Sequence, residues 1–161
     1  MEGDKHMINS FKGKYGWASN FAMYGLWYDN VWYPSNEHFF QAMKTLVQEE
    51  RIAISKALTP GIAKRMCSRR GYKGFKIILR SDWDAIKNDV MLYGLRQKFK
   101  NQFIEAKLIR TCPQKLVEGN WWHDNYWGNC LCDKCTNIPG KNILGHLLEA
   151  VRLELINKYK D

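Results

Sequence analysis

Three side chains in the stretch SNEHFFQAMKTLVQ stand at a spacing that could do chemistry. Glu37, Gln41 and Lys44 fall at i, i+4 and i+7, so a helix here puts a carboxylate, an amide and an amine on one face. Phe40, Met43 and Val47 form a neighbouring apolar stripe, which Phe39 and Leu46 widen. A helix that apolar is expected to be buried, and buried polar groups need partners or a cavity. From these residues alone two readings stay open: reactive groups facing a cavity, or an ordinary polar stripe facing solvent.

A second stretch, EGNWWHDNYWGNCLCDKC, mixes rings, polar groups and thiols. Trp121, Trp122, Tyr126 and Trp127 can fill a core, but His123, Asp124 and Asn125 interrupt them and Gly128 follows. Aromatic rings beside polar groups suit a pocket for a nucleobase or sugar. Cys130, Cys132 and Cys135 give Cys-x-Cys-x-x-Cys, which can ligate a structural zinc if His123, His146 or another Cys supplies a fourth ligand. A reduced, exposed loop is the alternative. Three thiolates would leave a metal little charge with which to activate water, so no metal is expected to be required for catalysis. Cys67 and Cys112 stand alone in helical context and are expected to be buried thiols. Five cysteines, an odd count, argue against a secreted disulfide framework.

The net charge of +9 is concentrated. From Arg51 to Ser81 there is no Asp or Glu, and Arg65 and Arg69 sit among the basic residues of that segment. Such a block favours phosphate-bearing partners, or forms a solvated basic surface. There is no GxxxxGK[ST], no GxGxxG after a strand, and no visible Ser-His-Asp signature.

The elements that must position these residues can be read from pattern. A chain of 161 residues, 45% hydrophobic and 14% aromatic, suggests one globular domain. No apolar run approaches the roughly 20 residues of a membrane span, and no secretory pattern opens the chain. A cytoplasmic protein with no membrane partner is the expectation. Residues 1–7 are expected to be a disordered leader before a domain over 8–161. "GLWYDNVWY" reads as a hairpin turning at Asp29 and Asn30. Helices are predicted from Ser35 to about Glu50, from Thr59-Pro60 to Gly71, from the capping-box-like "SDWD" to about Lys100, and over 102–111. A short strand in "QKLVEG" precedes a last helix from near Asn142. The fold class is mainly α (α+β), with small N-terminal β elements packed on a helical body.

Taken together, "GWASNF", "WYPSNEHFFQAMK", "AKRMCSRR", "SDWDAIK", "YWGN" and "GKNILGHLLEAVR" resemble the NADAR, or YbiA-like, family in family order. The resemblance implies a mainly α fold and an N-glycosidase acting on ribosylated nucleobase compounds. It implies either riboflavin-biosynthesis intermediates carrying ribose 5-phosphate or ADP-ribose compounds, including ADP-ribosylated guanine in DNA. It places a functional Glu at Glu37 and functional Trp positions at Trp83 and Trp127. The family's functional Asp falls at Asn129, a departure, since Asn cannot act as a carboxylate. Either Asp124 substitutes, or position 129 only hydrogen-bonds substrate, or this chain's activity differs from the family's. Asn20, Phe21, Gln41, Arg65, Arg69, Tyr126, Gly128 and Asn142 within the matching motifs, and Asp124 just before "YWGN", are the expected substrate contacts.

Breaking a ribosyl C–N bond builds positive charge on the sugar, which a carboxylate such as Glu37 can stabilise while orienting water. Lys44 could protonate the departing base, or attack the sugar C1 as an amine if burial lowers its pKa. Trp83 and Trp127 would stack on base or ribose, and Arg65 and Arg69 would hold phosphate. The rival class is a non-catalytic module that binds ADP-ribose, a nucleotide or nucleic acid through the same rings and basic residues.

Overall fold

The computed structural model describes residues 5–160. In chain order the regular elements are β1 (Met7–Ile8), β2 (Leu26–Tyr28), β3 (Val31–Tyr33), α1 (Asn36–Ala42), α2 (Gln48–Ser55), α3 (Pro60–Met66), α4 (Trp83–Lys98), α5 (Gln102–Arg110), β4 (Lys115–Leu116), β5 (Gly119–Asn120), β6 (Asn129–Cys130) and α6 (Ile143–Lys158). The architecture is α+β and mainly helical, as expected, but the β elements are not confined to the N-terminal part. The chain gathers into two compact units, one of residues 20–98 and one of the described residues before Asn20 and after Lys98.

The unit of residues 20–98 begins with the anticipated hairpin. Leu26 pairs with Tyr33 and Tyr28 with Val31, antiparallel. Asp29 and Asn30 both have positive φ, at 48° and 62°, the left-handed pair that lets a two-residue turn follow the twist of its strands. Ser35 then caps α1, its Oγ accepting the His38 N–H at 3.1 Å. Phe39 anchors the core beneath, with Tyr28, Tyr33 and Tyr93 rings 5.4–5.8 Å from its own. Helix α4 passes α1 at Gly94, where a Cβ would collide with Asn36 Oδ1 and lie 2.9 Å from the Phe39 ring. The side-chain-free position is what lets the two helices come this close.

The helix expected from Ser35 to Glu50 is two helices. The last bonds of α1 tighten to Lys44 N–H onto Gln41 C=O and Thr45 N–H onto Ala42 C=O. Thr45 Oγ1 then accepts the Val47 N–H, Arg80 N–H binds the Lys44 carbonyl, and buried Arg51 donates to the Thr45 carbonyl at 2.8 Å. These long-range partners outcompete continuation of the helix. Thr59 and Pro60 start α3 as expected, but α3 ends at Met66, and Gly71 turns the chain later with φ +71°. Arg80 grips Asp82 with two hydrogen bonds, and α4 begins at Trp83.

The other unit is built on α5 and α6. Asn101 caps α5, as its side chain accepts from the Phe103 and Ile104 amides. Buried Arg152 of α6 donates to Thr111 Oγ1 and the Gln114 carbonyl, and buried Glu105 meets Lys158 and the Tyr159 hydroxyl. Strand β1 pairs in parallel with β4, and β5 with β6. Of the expected leader, residues 1–4 lie outside the described residues. The following residues are engaged: Met7 pairs with Lys115, and the carbonyls of Lys5 and His6 accept hydrogen bonds from Gln114 and Lys115. Cys112 is exposed, unlike the buried thiol expected, because it follows the last turn of α5.

Candidate active site

Every residue of α1 is buried, including Asn36, Glu37, His38 and Gln41. The solvent-facing reading of the Glu37 stripe therefore does not hold. Gln41 Nε2 donates to Glu37 Oε1 at 2.7 Å, which fixes the amide's orientation. Gln41 Oε1 is then buried with no hydrogen-bond partner among the described residues. A buried acceptor left unmade costs about 1–3 kcal/mol, so its presence beside a buried carboxylate marks a place where a donor is expected to arrive. Asn36 Oδ1 is similarly placed, but it packs at Gly94 of α4, where a Cβ could not fit.

Lys44 is half-buried one turn further on, and its Nζ stands 5.9 Å from the centre of the Phe40 ring. Burial pushes its pKa below the ordinary lysine value, against the upward pull of Cys67 and Glu37; Lys64 and Lys87 add to the lowering. Cys67, at the end of α3, completes this group. Its buried thiol lies 3.5 Å from the Gln41 carbonyl, and burial pushes its pKa up to about 12 despite the nearby Lys44. A thiol held protonated in this way is no nucleophile at neutral pH. Sequence reasoning found Cys67 buried but missed its place beside Gln41 and Lys44, because nothing local to α3 points to α1.

Trp83 is buried, 8% exposed, with its ring centroid 5.0 Å from that of Phe40. It backs the wall on which Lys44 lies. Asn20 holds the start of α1: its carbonyl accepts the Glu37 N–H at 3.0 Å and its Oδ1 accepts from Asn36 at 2.9 Å. Phe21 is exposed. Arg65 and Arg69 are exposed on and just after α3, together with Lys64, Arg70, Lys73 and Lys76. Arg51 and Arg80, counted in the same basic block, are instead engaged within the fold.

In the other unit the expected residues are drawn into the scaffold. Asp124 Oδ1 accepts the Tyr126 and Trp127 amides at 3.1 and 2.9 Å. Asn129 Oδ1 accepts the Gly140 N–H at 3.0 Å. An Asp at 129 could accept that bond equally well, so Asn serves the same bond without a charge. Asn142, with φ 50°, bridges the Leu116 carbonyl and the Glu118 amide. Gly128 has no room for a Cβ, which would meet the Glu118 carbonyl. Trp127 is half-buried, with Tyr126 edge-on at 4.9 Å. His123, Cys130, Cys132 and Cys135 form a group able to hold a metal. A cleft of about 380 Å³ in this unit, lined by Tyr15, Trp17, Lys107 and Arg110 among others, contains none of the expected site residues.

A buried carboxylate bonded to an amide with an open acceptor, beside an amine of lowered pKa, is the equipment of an acid–base or nucleophilic enzyme on an α+β frame. The chain belongs to the NADAR family: the NADAR domain model matches residues 7–156. It is 38% identical to N-glycosidase YbiA of Escherichia coli (strain K12) over 142 residues, 88% of this chain and 82% of that protein. It is 32% identical over 139 residues to the riboflavin biosynthesis protein PYRR, chloroplastic, of Zea mays, covering 80% of this chain and 20% of that longer protein. The NMR structure of the E. coli protein YbiA superposes with a TM-score of 0.80 at 34% identity, over 99% of this chain and 90% of that one. No helix among the described residues is long and apolar enough to cross a membrane.

Proposed function

We propose that this chain is an N-glycosidase that hydrolyses the N-ribosyl bond of a small phosphorylated riboside of the kind found among riboflavin-biosynthesis intermediates. Residues 8–161 act as one catalytic domain. The observation that carries the reading is the open Gln41 Oε1 beside the Glu37 carboxylate. The names of the relatives, N-glycosidase and riboflavin biosynthesis protein, support the substrate class.

The reaction adds water across the sugar–base bond: C1 gains a hydroxyl and the base leaves with a proton. Glu37 stabilises the cationic sugar and takes a proton from the attacking group, and Gln41 Oε1 accepts from that group or from a ribose hydroxyl. Lys44, just past the end of α1, is near enough to Glu37 to feel its charge and has a pKa lowered by burial, which suits two roles. As an ammonium it protonates the departing base. As an amine it attacks C1 of the sugar and displaces the base, the ring C1–O bond opens to give an imine, and water hydrolyses that imine to free the sugar and restore the amine. Borohydride separates the roles, because only the imine route leaves a trapped adduct. Trp83 forms part of the wall, and Arg65 and Arg69 meet phosphate. The chemistry draws on no metal, so turnover is expected to survive chelation. A cytoplasmic location belongs to the same proposal.

The exposed run from Lys64 to Lys76 favours a second substrate, ADP-ribosylated guanine in nucleic acid, through contacts to a polyanion. Incubation with N-ribosides of the riboflavin series and with ADP-ribosylated guanine DNA, followed by chromatography for free base, tests the proposal. Release from the first set supports the main reading and release from the second the alternative substrate. Tight binding without release from either would make the chain a binding module.

A further inference from the structure

The cysteine loop takes no part in the proposed reaction, yet it is organised around one point. The ligand atoms of His123, Cys130, Cys132 and Cys135 all lie within 4.8 Å of one another. The three sulfurs stand 3.9, 3.4 and 3.4 Å from a single atom, His123 Nδ1. One imidazole nitrogen has either one proton or one lone pair, so it cannot make three hydrogen bonds. A tetrahedral zinc with Zn–S near 2.3 Å and Zn–N near 2.0–2.1 Å requires S···N edges of about 3.5–3.6 Å. The observed edges bracket that value. All five cysteines are free thiols, so no disulfide explains the convergence.

The surrounding chain is shaped to bring these atoms together. His123 has φ +68°, a left-handed conformation that non-glycine residues rarely adopt. Cys130 is held at the end of β6 by its own N–H onto Asn125 Oδ1 at 2.9 Å. The Cys135 N–H closes a turn onto the Cys132 carbonyl at 3.0 Å, so two thiols leave one tight turn on the same side. His146, the other histidine considered from sequence, is instead within 3.6 Å of Glu149 on α6.

We propose that His123, Cys130, Cys132 and Cys135 bind one zinc ion in a closed structural site that ties the loop carrying Asp124, Tyr126 and Trp127 to the cysteine turn. Four nitrogen and sulfur donors leave no open position for water, and three thiolates favour Zn(II) over hard cations. The site replaces the core that this irregular segment lacks.

Metal analysis of the intact protein, purified without chelator, is expected to give about one zinc per chain. Apoprotein made with chelator and reductant should rebind zinc at submicromolar concentration, and cobalt should give the intense visible bands of a tetrahedral thiolate site. His123→Ala and Cys135→Ser should lose the metal, while His146→Ala and Cys112→Ser keep it. If the first two variants do not fold, the stoichiometry and cobalt spectrum of the unaltered protein decide. Glu37→Gln should retain full zinc, which separates this site from the glycosidase reading. Substoichiometric zinc with no cobalt bands, iron in its place, or a Cys132–Cys135 disulfide in the freshly purified protein would overturn the assignment.

Discussion

Helix α1 and the loop from Asn120 to Cys135 both set polar groups among aromatic rings, and they use them in opposite ways. In the loop the side chains serve the backbone. Asn120 binds the Trp122 and Asp124 amides, Asp124 binds those of Tyr126 and Trp127, and Asn125 binds that of Cys130. An irregular segment has few ladder bonds, so side chains must satisfy its amides. A helix satisfies its own amides beyond the first turn. The side chains of α1 are therefore free to bond one another, as Gln41 does to Glu37, and to leave an acceptor open. The same residue types thus build a scaffold in one place and a reactive face in the other.

That contrast is broken most directly at Glu37. Glu37→Gln preserves volume and an acceptor for Gln41 but removes the charge. Turnover should fall by about 10²–10⁴-fold with little change in ligand affinity or melting temperature. Near-normal kcat would return α1 to the status of a buried helix and leave the chemistry unassigned. Lys44→Met should cost about 10²-fold, and the pH profile of the parent protein divides its roles. A lysine acting as acid loses rate as pH rises through its lowered pKa, whereas one acting as free amine gains rate over the same rise.

The scaffold beneath α1 is tested at Gly94. An added methyl meets Asn36 and the Phe39 ring, an overpacking cost of up to about 3 kcal/mol. Alanine recovers about 1 kcal/mol of helix propensity. Gly94→Ala should therefore lose about 2 kcal/mol in a denaturant titration, with the parent slope retained. An unchanged midpoint would mean that α1 and α4 have slack at this crossing.

Much of this was legible in the sequence. Patterns that act locally were read well: Ser35 as a cap, Thr59-Pro60 as a start, and the Asp29-Asn30 turn all have their causes within a few residues. The α1–α2 break was not, because Arg80 and Arg51 reach Thr45 and its neighbours from elsewhere in the chain. Spacing alone paired Glu37 with Gln41, whereas Lys44, expected on the same helical face, falls just past the end of α1. The direction of that face, and the thiol of Cys67 upon it, depended on packing from α3 and α4. His123 and His146 were equal candidates for the cysteine group until backbone geometry distinguished them.

The basic run offers a smaller effect. Arg65 and Arg69 are exposed, so water competes for their charge, and Arg65→Ala or Arg69→Ala should raise KM for a phosphorylated riboside by about tenfold, the low end for a charge-assisted bond. The dephosphorylated riboside should be unaffected. Equal losses on both would make these arginines general surface charge.

The smallest effect sharpens the comparison within α1 itself, by contrasting His38 with Gln41. His38 is fully buried, with Nδ1 2.7 Å from Ser35 Oγ and Nε2 2.9 Å from the Ala57 carbonyl. Both nitrogens are satisfied, so this side chain belongs to the scaffold. Burial lowers its pKa from the ordinary 6.5, outweighing the upward pull of the Ala57 carbonyl. The unfolded chain takes up a proton near 6.5 while the folded chain resists it. Its contribution is therefore complete above that pH and is lost as pH falls through the lowered folded value, at no more than about 1.4 kcal/mol per pH unit. His38→Gln keeps polar atoms at the site without a titrating group. Denaturant midpoints measured from pH 7.5 down to about 5.5, a window set around the ordinary histidine value, should fall for the parent protein. The variant should start lower and stay flatter, so that the two curves converge. Parallel curves would assign the acid sensitivity to other groups.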